Sequence, residues 1–142
     1  MADLDVTPWI TRLKDEATLL KQRVDGAAGL PTVKTAVRTP AAWVIPSAER
    51  AAENQLVGGH SQRVTETVEV ITAVRNVKDK RGATAQGEMV PVRRAIKQAL
   101  VNWSPSADHD PVEFVSGRLL KFGDGVLWWV DRFQTAYYER RA

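Results

Sequence analysis

The 142-residue chain contains no cysteine. It therefore has no disulfide framework, no thiolate metal site and no cysteine nucleophile. Histidine is nearly as scarce. Only His60 and His109 occur, and neither stands at metal-ligand spacing from a second histidine. His109 lies between Asp108 and Asp110, which leaves two readings, a weak cation site or a solvated loop. No apolar run approaches the roughly 20 residues needed to span a bilayer. The opening Met1-Ala2-Asp3-Leu4-Asp5 is acidic and lacks the basic-then-apolar order of a signal peptide, so the expected location is a cytoplasm or a particle assembled in one. Charge of one sign is also lacking, since 20 basic against 17 acidic residues leave only +3. The bases are scattered, with arginines adjacent only at Arg93-Arg94 and Arg140-Arg141, which is not the footprint of a dedicated duplex binder. Arginine outnumbers lysine by 13 to 7, which favours bidentate ion pairs at interfaces.

Catalytic signatures are missing too. Gly58-Gly59 lacks the Lys-Ser/Thr and helix start of a phosphate loop, and there is no G-x-S-x-G elbow. Glu66 and Glu69 are three apart on an expected strand, so they point to opposite faces and make a poor acid–base pair. Glu113 and Asp131 approach across an expected hairpin, but carboxylates on strands are ordinarily solvated. The reading is of no enzyme, no catalytic residue, no metal and no cofactor.

What the chain does have is the composition of one globular domain over residues 1–142, with 44% hydrophobic and 26% charged residues. A folded chain of this length buries roughly two-thirds of its unfolded surface, enough for a core without staples. Thr7 as N-cap and Pro8 as first helical residue open a helix over about residues 8–21. Its stripe is Trp9, Leu13, Leu20 and Val24, widened by Ile10 and Ala17. Gly26 and Gly29 break it, Arg23-Val24 fits a short strand, and residues 30–36 fit a second short helix. Ala42-Trp43-Val44-Ile45, bounded by Pro40 and Pro46, reads as a short buried strand. Residues 47–61 are polar and without period, a long loop of the kind that carries function.

Residues 62–76 alternate at period two. Val64, Val68, Val70 and Val74 face one way, and Arg63, Thr65, Thr67, Glu69 and Arg75 the other. At 3.3 Å per residue this strand reaches close to ~50 Å, more than a small sheet needs, and an overhanging strand often pairs with a neighbouring chain. Residues 79–82 read as a turn. A helix then places Met89, Val92, Ile96, Leu100 and Trp103 inside and Arg93, Arg94, Lys97 and Gln98 outside. Pro91 marks its first turn or kinks it. After a proline-containing loop over 104–111 come two strands, 112–122 and 126–138, joined at Gly123-Asp124-Gly125. The order predicts an α+β domain: an antiparallel or mixed sheet with one long strand, two main flanking helices and a C-terminal β-hairpin.

Trp128-Trp129 puts one large ring on each face of the last strand. Either that strand is buried on both sides within its own domain, or one tryptophan lies at a subunit interface, where aromatics and arginine are enriched. Tyr137-Tyr138 ahead of Glu139-Arg140-Arg141 docks on a neighbour or frays.

Four stretches give the whole order a likeness. They are Arg23-Val24-Asp25-Gly26-Ala27-Ala28; Pro40-Ala41-Ala42-Trp43-Val44-Ile45-Pro46 with the following Ser47-Ala48-Glu49-Arg50-Ala51-Ala52-Glu53-Asn54; Arg63-Val64-Thr65-Glu66-Thr67-Val68-Glu69-Val70-Ile71; and Gly117-Arg118-Leu119-Leu120 with Leu127-Trp128-Trp129-Val130-Asp131-Arg132-Phe133. In these the chain resembles the small tail terminator proteins of tailed phages and prophages. The resemblance implies a structural virion protein at the head-proximal end of the tail, made in the host cytoplasm. It forms a ring of itself, typically a hexamer, on the finished tail tube. The ring stops tube polymerisation and meets the head-completion or connector proteins, with DNA only as cargo through the lumen and no membrane partner. The residues expected at the subunit or tube interface are Glu49, Arg50, Glu53, Asn54, Gln55, Arg63, Glu69, Arg75, Trp128, Trp129 and Arg132. Residues 62–76 and the loop 48–59 are expected to reach the tube. Two other readings stay open: a head–tail joining or tail-completion protein, and a basic nucleic-acid module built on Arg93, Arg94 and Lys97.

Overall fold

A computed structural model of the chain describes residues 4–29, 38–75 and 83–141. The expected helix over 30–36 and the turn over 79–82 lie outside these residues.

The first helix, α1, runs Thr7–Glu16 with Val6 at its N-cap. The cap is not the Thr7 side chain. Asp5 Oδ1 accepts the Thr7 N–H at 2.9 Å and satisfies one of the orphan donors of the first turn. Beyond Glu16 the chain makes a 3₁₀ turn, Thr18–Leu20, then turns at Lys21 and Gln22, both in the left-handed region. The helix therefore stops earlier than expected, while its stripe continues: Trp9, Leu13, Ala17, Leu20 and Val24 are all buried.

Among the described residues five strands form one sheet in the order β1-β2-β3-β5-β4: β1 Val24–Gly26, β2 Ala41–Ala51, β3 His60–Arg75, β4 Glu113–Gly123 and β5 Val126–Arg141. Only the β1–β2 pair is parallel. β4 and β5 are the expected hairpin. Its two turn residues, Asp124 and Gly125, both have positive φ (55° and 75°), the geometry that matches the twist of the flanking strands.

Two expectations need correction. β2 does not end at Pro46 but continues to Ala51, so the connection to β3 is only residues 52–59 rather than a loop over 47–61. The backbone direction explains it. Ala42 N donates to Arg23 O, so the even-numbered residues of β2 point their main-chain groups towards β1. Pro46 points the same way, past the last β1 pair at Gly26–Val44, and its missing N–H takes no ladder partner away. A bulge at Ser47 then lets the strand continue against β3. Second, β3 does not overhang its sheet. It pairs with β5 along all its 16 residues, His60–Arg141 to Arg75–Val126, and with β2 over residues 64–73.

The second helix, α2, spans Ala83–Leu100 and holds Pro91 in its interior, with the ring exposed on the solvent side. It packs with α1 on one sheet face. Met89, Val92, Ile96 and Leu100 join Trp9, Leu13, Val68, Val70 and Phe133 in the main core, each buried side chain contributing roughly 1.5–3 kcal/mol. Arg12 Nε donates to Ala99 O at 2.8 Å and Trp9 meets Trp103 edge-on, which ties the helices together. The other face carries a smaller cluster at one end. There Trp43 stacks on Trp128 at 5.5 Å between ring centroids, over Ala41, Ala73 and Val126.

Candidate functional site

The helices cover only part of the sheet, and β2, β3 and β5 continue beyond the main core as an arm. The expected interface residues sort along it. Arg50, Arg63, Glu69 and Arg132 share the face turned away from the helices, because they occupy matching positions in the register. That face also carries Thr65, Thr67, Gln134 and Tyr138. Ser47 Oγ donates to Glu69 Oε1 at 2.9 Å, and Arg132 stands 4.0 Å from the same oxygen. Arg63 bonds Asp110 Oδ2 at 2.8 Å, which with Tyr138 raises the guanidinium's pKa above its usual value. Arg50 is exposed and makes no such pair among the described residues.

The arm ends in the 52–59 loop, where Glu53, Asn54 and Gln55 lie together. Asn54 organises it. Its Nδ2 donates to Leu56 O and Gly59 O at 3.1 and 3.0 Å, and its Oδ1 accepts from Leu56 N and Ser61 N at 3.2 and 2.8 Å. Gln55 N donates to Ser61 O, and Gln62 Nε2 to Ala52 O. The loop is thus a fixed end of the arm, and its tip is not polar. Val57 is fully exposed and Leu56 half exposed. Leu56-Val57 is the only large apolar pair between Pro46 and Val64, and that was the one sequence signal for the tip.

Other expected residues sit apart. Glu49 lies on the helix side and its Oε1 accepts Leu4 N at 2.9 Å, pinning the start of the chain. Arg75 stands at the opposite end of β3, where its backbone N–H meets Thr39 Oγ1. Trp128 is buried against Trp43 with Lys121 over its ring, and Trp129 lies under Arg93, 4.5 Å from guanidinium carbon to ring centre. Both rings make their main contacts within the chain.

Three polar features were not legible as pairs. Arg93, expected outside α2, turns in to Asp131: Nη2 reaches Oδ1 at 2.6 Å and Nε stands 3.1 Å from Oδ2. Asp131 is wholly buried, so the expectation of a solvated strand carboxylate fails. Trp129 Nε1 adds a third donor at 3.1 Å. Gly117 makes room for this group, since a Cβ there would stand 2.6 Å from Asp131 Oδ1 and 2.7 Å from Arg93 Nη2. His109 fits neither the cation site nor the solvated loop. Its buried ring bridges Ser106 Oγ at 2.7 Å and Glu66 Oε1 at 2.6 Å, holding the 104–111 loop against β3. An ionised Glu66 can only accept, which places the ring proton on Nε2. Lys97 lies 4.1 Å over the Phe114 ring, and Arg93 is neutralised by Asp131, so α2 presents Arg94 and Lys97 rather than all three bases.

Among the described residues no group of three His, Asp or Glu side chains is placed to hold a metal ion, and no helix is long and apolar enough to cross a membrane.

The family model for "Phage tail terminator protein" matches residues 1–142. The chain belongs to the phage tail terminator family. It is thus a structural, non-enzymatic virion protein of the tail. The terminator fold recurs in a solved chain from the "Virion of native gene transfer agent (GTA) particle", 16% identical, with a TM-score of 0.51 over 91% of this chain and 90% of that one. No curated protein sequence matches this terminator.

Proposed function

We propose that this protein closes as a ring, six copies in the family pattern, on the head-proximal end of the finished tail tube. There it ends tube polymerisation and offers its other side to head-completion or connector proteins, while DNA passes through the lumen. The observation that carries this reading is the arm with its ordered apolar tip. A fully exposed Val57 beside a half-exposed Leu56, on a loop fixed by four Asn54 hydrogen bonds, is a pre-formed anchor for a partner surface. Apolar anchors that enter a partner's pocket dominate interface energetics, and pre-ordering reduces the entropy lost on docking. The polar face behind the tip, with Arg50, Arg63, Glu69 and Arg132, supplies a hydrogen-bonding rim.

The test is to mix the purified protein with uncapped tail tubes from the same source and image the tube ends by electron microscopy. Rings on one end with growth halted are expected. Replacing Leu56 and Val57 by Asp should leave the melting temperature within about 2 °C, since neither side chain is in the core. Capping should then be lost. Normal capping by this variant removes the tip from the tube contact. Bare tubes, with the protein on filled heads instead, transfer the chain to the joining role.

A further inference from the structure

Among the described residues, the sheet of one protomer has two unlike open edges. One is β4, exposed along nearly its whole length although it carries Phe114, Val115, Leu119 and Leu120. An apolar edge strand of 11 residues is a template for pairing with another chain. Ala136 O accepts from Asp110 N, so even-numbered β5 residues direct their main-chain groups to the β4 side. The β4 residues between those they meet, Phe114, Gly117, Leu119 and Phe122, direct theirs outwards. The other edge is the half of β2 beyond β1, residues 45–51, where Glu49 and Ala51 face out past the bulge.

We infer that β4 of one copy adds, antiparallel, to the open half of β2 in a second copy, and that this head-to-tail seam builds the ring proposed above, on which the inference rests. A contact between two different patches is heterologous and closes only if the rotation closes. The register supplies that rotation. β4 lies level with β3 residues 67–75, and the open half of β2 lies level with 64–69. Their centres are offset by about 15 Å along the strands, while one copy advances four strand spacings, about 19 Å. The strands then incline by about 38° to the ring axis, inside the 35–45° typical of closed sheets. Six such copies give a backbone circle about 45 Å across.

The absence of cysteine makes disulfide trapping clean. Leu119→Cys is combined with Glu49→Cys or with Ala51→Cys, all at exposed positions, and each variant is first checked for native circular dichroism and melting. Bound to tube ends and oxidised, at least one combination should give a covalent ladder ending in one closed species, while each single variant stays uncrosslinked. Visible rings without any ladder overturn the seam but leave the ring reading standing. Covalent dimers from Leu119→Cys alone overturn it in favour of a two-fold β4–β4 contact. Unmodified protein that makes no ring on tubes overturns the ring reading, and the seam with it.

Discussion

Removing Arg93 is the sharpest perturbation of the fold. Its guanidinium supplies two of the three donors held by Asp131, the third being the Trp129 indole. Asp131 is 0% exposed, whereas the Arg93 side chain keeps 21% of its surface. The two halves of the pair are therefore unequal. Arg93→Met strands a carboxylate that cannot reach water, which costs about 3–5 kcal/mol. Asp131→Leu frees a guanidinium that can turn to solvent, and the loss there is about 2 kcal/mol after discounting for exposure. The double variant restores an apolar contact of similar volume and should recover most of the stability, because a buried pair replaced as a unit is often neutral. In a domain of this size 1 kcal/mol moves the midpoint by about 4 °C, so Arg93→Met should melt at least 12 °C below the parent. Urea denaturation of the parent, both single variants and the double variant, closed as a cycle, measures the asymmetry and the coupling. A loss under about 1 kcal/mol for Arg93→Met, or a double variant as unstable as the sum of the singles, would refute the reasoning.

Gly117→Ala should destabilise by about 1–3 kcal/mol, read by the same denaturation, since its Cβ would press on Asp131 and Arg93 at under 3 Å. Trp43→Ala empties the ring stack under Trp128 and should cost about 3–5 kcal/mol, a drop large enough to see by thermal melting. Asn54→Ala should barely change the melting point but should speed amide exchange at Leu56 and Ser61, the two amides its Oδ1 holds; unchanged exchange would mean the loop is ordered by other means. The Thr7 backbone N–H, helped by the Thr7 side chain, holds the Asp5 carboxyl below its usual pKa. The contribution of this cap is present above the unfolded-state pKa and is lost as pH falls through the folded one. A nuclear magnetic resonance titration should place the Asp5 midpoint below that of a free aspartate.

The strands and their faces were legible because period two survives in β3 and β5: every valine of the first stripe, Val64 to Val74, is buried. The fold class followed from element order, and the family from diffuse stretches along most of the chain. What could not be read depends on long-range partners. The continuation of β2 through Pro46 depends on where β1 stops, a fact carried by Gly26 twenty residues away. The inward turn of Arg93 requires Asp131, 38 positions on, and the burial of His109 requires Glu66, 43 positions back. A helix-face arginine and a loop histidine look the same in sequence whether or not such a partner waits for them. Among the expected interface residues, alternation in β3 and β5 brought Arg63, Glu69 and Arg132 to one face, while the Ser47 bulge, which shifts the phase of β2, put Arg50 with them and sent Glu49 to the other face.

The unbroken 16-position ladder between β3 and β5 also determines how the molecule carries load. A pull or thrust along the arm, the direction in which a tube held at its tip would act, runs parallel to these strands and perpendicular to their hydrogen bonds. The ladder is then loaded in shear. Its bonds share the force and must fail together, instead of opening one after another from an end as in a peeled hairpin. Force applied sideways at the 52–59 loop would peel β2 from β3 bond by bond. The arm should thus be stiff along its axis and compliant across it, which single-molecule pulling from the two directions would resolve as a high and a low rupture force.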